Sequence, residues 1–174
     1  MAVSKTEAET MGHQLLHELV QQRPDMEDIC WLIGQGASMT VTDKSGYTPL
    51  MHMLGTGNSG YIKAMLDHGA DVNYRHPSSG RSILQIAVSR SSAHIIGMVL
   101  AANGDVFQKD KDSDNALALA RRRGDAGILS LVEARAKEQQ PDYQAREALM
   151  AAAEAGMQIE KSFRPLKPLK FRMT

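Results

Sequence analysis

The sequence predicts an all-α fold: a solenoid of helix-turn-helix units with projecting β-turns, then a C-terminal helix and an extended basic tail. Three observations carry this. Segments recur at a period of 33 to 34 residues, and the apolar positions inside each segment fall at helical spacing. The 174-residue chain also has eleven Met but only three Phe, four Tyr and one Trp. A fixed period of this length marks small supersecondary units that bury their faces only by stacking. Such thin layers are filled by aliphatic side chains and need few rings.

The two clearest units set the register. Leu50 and Leu84 are 34 positions apart, as are Asp71 and Asp105. An upstream copy runs from Leu16-His17 to Gly36-Ala-Ser38, and a downstream one from Asp110 through Leu117 and Ala120 to Gly124. In each unit a short apolar segment such as Leu50 to Leu54 or Leu84 to Val88 precedes a polar or glycine break. A second run follows, with Tyr61, Ile62, Met65 and Leu66 or Ile95, Ile96, Val99 and Leu100 at i, i+1, i+4, i+5, one face of a helix. Gly69 is placed to end that helix in a left-handed conformation, and Asp43-Lys-Ser-Gly46 reads as a turn.

Asp43-Lys-Ser-Gly-Tyr-Thr-Pro-Leu50 with Gly69-Ala-Asp-Val-Asn73 resembles the ankyrin-repeat signatures D-x-x-G-x-T-P-L-H and G-A-D-V-N. The resemblance covers about four units, of which the first and last are degenerate. Thr48 is expected to cap the first helix of its unit, with Pro49 in the first turn. Met51 stands where the family has His, and Asn103 where it has Gly. The fourth unit lacks both the T-P-L segment and the closing Gly. His17 occupies the family's histidine position, whose implied role is to tie adjacent turns together.

Composition narrows the function classes. Lys plus Arg and Asp plus Glu number 20 each, so the net charge is zero. The body and the tail differ, however: residues 1–140 carry a net −2 and residues 161–174 carry +5. A single cysteine excludes an internal disulfide and a multi-cysteine zinc site. No signal peptide or apolar run of membrane-spanning length is visible, which makes the cytoplasm the expected location, with delivery into another cell left open. The resemblance permits adaptor, immunity or delivered-effector roles of the kind that small bacterial members have.

Three motifs are weighed and set aside. Gly55-Thr-Gly57-Asn-Ser-Gly60 matches G-x-G-x-x-G but follows a helix, whereas phosphate binding needs a preceding strand. His13 and His17 share the spacing of a zinc motif, yet Gln14 stands where its Glu would act as base. A metal-dependent hydrolase using that pair is the enzyme alternative. Cys30, between Ile29 and Trp31, is expected to be a buried, inert thiol. No catalytic role and no cofactor are expected, and neither a small-molecule substrate nor nucleic acid is the expected ligand.

Ankyrin-like proteins bind protein partners through the projecting turns and the exposed face of each first helix. That resemblance points to Thr42, Lys44, Ser45 and Tyr47 in the second unit and Arg75, Ser78, Ser79, Arg81 and Arg90 in the third. In the fourth it points to Lys109, Lys111, Asp112, Arg122 and Arg123. The row Arg81, Arg90, Arg122, Arg123 predicts a basic stretch suited to an acidic partner. Tyr47 is the expected aromatic anchor.

The expected domains are a leader at 1–11, repeats at 12–137, a C-terminal helix at 138–160 and a basic tail at 161–174. Tyr143, Leu149, Met150, Ala153 and Met157 form the helix's apolar stripe, which would cover the last repeat. In the tail, Phe163, Arg164, Leu166, Lys167, Leu169, Lys170 and Phe171 combine apolar anchors with charge, as an arm docking on protein would. Binding of polyanions or a membrane surface is the competing reading of that arm.

Overall fold

The computed structural model describes residues 3–21 and 25–162. The candidate docking residues of the tail, Phe163 to Phe171, lie outside that set. Among the described residues the secondary structure is helical apart from one isolated bridge between Arg75 and Ser82. The first helices of the four units are α1 (Lys5–Val20), α3 (Pro49–Met53), α5 (Ile83–Arg90) and α7 (Ala116–Arg123). The second helices are α2 (Met26–Gly34), α4 (Ser59–Asp67), α6 (Ala93–Ala101) and the start of α8 (Ala126–Ser162).

Caps explain where the helices begin. A helix leaves its first N–H groups unbonded, and a short polar side chain just before it satisfies one or two of them. Thr48 accepts from the Met51 amide, with Pro49 as the first helical residue, as expected. Ser4 with Glu7 and Ser82 with Gln85 form reciprocal capping boxes. Asp25, Asn58 and Asn115 cap α2, α4 and α7. Because Ser4 caps so well, α1 starts at Lys5, inside the stretch read from sequence as a leader.

The second helices end by the same device three times and then fail to. Gly36, Gly69 and Asn103 take φ of 86°, 85° and 70° just beyond α2, α4 and α6. Asn103 therefore fills the family's glycine place in the left-handed conformation that Asn tolerates. The fourth unit has no such residue, so α8 does not stop but runs on to Ser162, through Pro141.

First helices stack on first helices (α1 on α3, α3 on α5, α5 on α7) and second on second (α2 on α4, α4 on α6). Between the two layers lies a continuous aliphatic core that includes Leu15, Leu50, Leu84, Ile62, Met65, Ile96 and Ile128. Cys30 departs from expectation: it is exposed on α2, beside Tyr61 of α4. The next residue, Trp31, is 59% exposed. The α2 face that carries both points away from the core, which Ile29, Leu32 and Ile33 fill instead.

The chain divides into two compact units, Met1–Glu138 and Gln139–Thr174. The described part of the second is helical to Ser162, with Tyr143 donating to Glu147 at 2.6 Å. In the expected apolar stripe, Leu149 and Met150 are 72% and 69% exposed.

Candidate functional site

Three of the projecting turns share one design. Asp43 accepts the amides of Ser45 (2.8 Å) and Tyr47 (2.9 Å), and Asp110 those of Asp112 (3.0 Å) and Asp114 (2.9 Å). In the third unit His76 replaces the aspartate, and its Nδ1 lies 3.4 Å from the Ser79 amide. The ring's acceptor is also within reach of the hydroxyls of Ser78 (3.1 Å) and Ser79 (3.2 Å). His76 is 6% exposed and its Nε2 has no hydrogen-bond partner among the described residues. That turn is one residue longer than the others, since His76 pairs with Arg81 where Asp43 pairs with Tyr47.

The site grows from the join between the second and third turns. Tyr47 is held between two imidazoles, with ring centroids 5.5 Å from His52 and 4.4 Å from His76. His52 is itself fixed by Asp43, 3.0 Å away. Burial pushes the Asp43 carboxyl up, but the Tyr47 amide, His52 and the Ser45 amide together outweigh it and hold the group below its ordinary range. Gly46 has φ 87°, and a Cβ there would sit 2.7 Å from Pro77 Cδ, so the two turns approach as closely as a glycine permits. An aromatic side chain is thus pre-positioned on this face, which lowers the ordering cost of any contact it makes.

Two recesses lie along the turns, and Tyr47 lines the smaller. One, of about 520 Å³, is lined by His13, Leu16, His17 and Val20 from α1 with Thr42, Asp43, Lys44 and Ser45 from the second turn. The other, of about 210 Å³, is lined by Tyr47, His76, Ser78, Ser79, Arg81, Ile86, Ser89, Arg90 and Asp112. Nine of the fourteen partner-binding candidates therefore fall at these two places. Of the remaining five, Lys109 contributes its carbonyl to the fold and the other four their side chains. Arg75 donates to the carbonyls of Gly80 and Lys109, and Lys111 Nζ to that of Pro77. Arg122 pairs with Asp114, and Arg123 donates to the Val88 and Ser91 carbonyls at 2.6 and 2.8 Å.

The arginine row is accordingly less basic than its sequence suggests. Arg81 faces the buried Asp110 carboxylate at 3.5 Å. The Arg122 guanidinium is raised above its ordinary value, first by its bond to Asp114 and then by the charges of Asp114, Asp110 and Asp112. Arg90 alone of the four has no side-chain partner among the described residues.

Sequence reasoning missed His76 and Ile86 as lining residues. His76 lies 33 positions after Asp43 and 34 before Asp110, so the period placed it at the turn's aspartate. The extra turn residue hid the match. It also missed Gln85, which stands at the family's histidine position in the third unit and is fully buried. Gln85 donates to the Asp114 carbonyl at 2.7 Å and accepts from the Ser82 amide at 2.8 Å, tying one unit to the next. His17 does not play that part: it is exposed, and among the described residues its ring bonds only Gln21, 2.8 Å away on its own helix. Among the described residues no group of three or more His, Cys, Asp or Glu is placed to hold a metal.

Repeated helix pairs joined by turns of one design meet a family model described as ankyrin repeats in three copies, matched over residues 16–110. The chain belongs to the ankyrin-repeat family. It is similar to a protein of Arabidopsis thaliana named as an E3 ubiquitin-protein ligase, 30% identical over 112 residues (63% of this chain, 30% of that one). It is also similar to the B-cell lymphoma 3 protein homolog of Mus musculus, 31% identical over 104 residues (59% and 23%). Inversin of Gallus gallus is 32% identical over 90 residues (52% and 8%). The chain thus spans less than a third of the length of each relative. Ankyrin repeats bind protein partners, and in this family they are in general not catalytic, so the repeats here form a protein–protein interaction module. No helix among the described residues is long and apolar enough to cross a membrane.

Proposed function

We propose that this chain is an adaptor that grips a protein partner along its turns and first helices, with Tyr47 as the central anchor. The observation that carries the reading is the clamping of Tyr47 between His52 and His76, at the wall of the smaller recess. Rigid, half-exposed aromatic residues flanked by concave surface are what interface hot spots are made of. An acidic stretch of the partner meets Arg90, the one guanidinium of the row without a bonding partner among the described residues. The adaptor role is preferred to the immunity and effector roles because it asks only for binding.

The experiment is quantitative affinity capture from extract of the source organism with the full chain. Partners retained by the wild type are lost with Tyr47→Ala and kept with Trp31→Ala, which alters an exposed ring on a second helix. Equal retention by both variants removes the proposal.

A further inference from the structure

From Gln144 to Glu154, α8 meets water on every side, and each residue of that stretch is exposed. Leu149 and Met150, at 72% and 69%, are the most exposed large apolar side chains among the described residues. A helix in water draws most of its stability from burying an apolar face, and intrinsic propensity alone leaves it marginal. This stretch therefore carries an apolar face that lacks its cover.

The charges beside that face say what the cover is. Residues three and four apart share one side of a helix, so Arg146, Met150, Ala153 and Glu154 lie together. Arg146 precedes Met150 by four positions and Glu154 follows it by four. A second copy of the helix, laid antiparallel and crossing at Met150, thus sets Arg146 of each copy against Glu154 of the other. Two-fold symmetry supplies the ion pair twice from one sequence. The same helices laid parallel and in register set Arg146 on Arg146 and Glu154 on Glu154, which repel. An antiparallel crossing at Leu149 sets Arg146 on Ala152 and Glu154 on Gln144, with no charge matched.

We propose that this part of α8 is a self-association surface, through which two copies of the chain pair antiparallel about Met150. Met150 packs on its own counterpart, with Leu149 beside it and an Arg146–Glu154 pair on either flank. The surface is separate from the turns that carry Tyr47, so each copy keeps its recognition face.

The test is sedimentation equilibrium of the full chain over about 1–300 µM, where a contact this small gives a monomer–dimer equilibrium with a Kd of about 10–100 µM. Met150→Asp is expected to leave a monomer at every concentration. Arg146→Glu weakens the dimer about tenfold, since two attractions become two repulsions. Adding Glu154→Arg to Arg146→Glu restores the dimer, a rescue that mere loss of helix would not show. Direction is read by cross-linking in a Cys30→Ser background with oxidised glutathione as oxidant. Met150→Cys closes a disulfide between copies, whereas Glu154→Cys forms no covalent dimer, because its counterpart lies about 12 Å further along the helix. A monomer throughout, association that survives Met150→Asp, indifference to Arg146→Glu, failure of the rescue, or equal cross-linking at both positions overturns the proposal.

Discussion

Single residues at the joins between units carry a disproportionate share of the stability. Gln85 has no exposed surface and both ends of its amide are used, so truncation strands the Ser82 amide in the interior and leaves the Asp114 carbonyl only its bond from the Asp110 amide. Gln85→Ala is therefore expected to cost about 1–3 kcal/mol in a urea melt, the penalty for leaving buried polar groups unpaired. The fourth turn holds the opposite case. Ser113 adopts φ 64° where the second and third turns use Gly46 and Gly80. Ser113→Gly removes a side chain from the left-handed region and should raise stability by about 1 kcal/mol in the same assay. Asp43 makes a pH prediction. Its carboxyl sits lower in the folded chain than in the unfolded one, so its stabilisation is complete above the unfolded value near 3.9. It is lost as pH falls through the folded value. Asp43→Asn should flatten the acid limb of a stability–pH curve in that window.

At the level of the element, starts were easier to read than stops. Thr48-Pro49 names a helix start by residue type alone, and the structure has it. The end of α8 could be read only by noticing an absence: with no glycine or asparagine at the fourth closing position, nothing terminates the helix. The sequence reading sets a boundary at 137/138 instead, and Pro141 lies inside the continuous helix. Its ring removes an N–H from the helix interior, a cost of about 3 kcal/mol relative to alanine. Pro141→Ala should accordingly raise the far-ultraviolet helical signal of the full chain on heating, with the repeat body unaffected. Cys30, expected to be buried, lies exposed beside Trp31 for a related reason. Their neighbours Ile29, Leu32 and Ile33 are apolar, but a helix has two sides, and these two residues lie on the one without a core.

For the whole molecule, the arginines separate recognition from architecture. Arg123 bonds two carbonyls at the end of α5 and holds the third unit to the fourth, whereas the Arg90 side chain has no partner among the described residues. Arg123→Ala is expected to lose about 1.5–3 kcal/mol of stability by denaturant melt; Arg90→Ala should stay within about 0.5 kcal/mol of the wild type. The repeat architecture and most of its registers were legible because period, caps and apolar spacing are local in sequence. Nine of the fourteen recognition candidates also proved to line the two recesses, since a repeat fold repeats the surface positions it offers. Which charges are free was not legible. Arg81, Arg90, Arg122 and Arg123 look alike in a string of letters. Their difference lies in Asp110, Asp114 and the carbonyls of Val88 and Ser91, supplied from elsewhere along the stack. The sequence by itself determined the family, the helix pairs and the turns and first helices on which recognition is proposed. Only the tertiary structure decided which side chains on that face are already satisfied, because a charge is cancelled by whatever lies within a few ångströms of it in space.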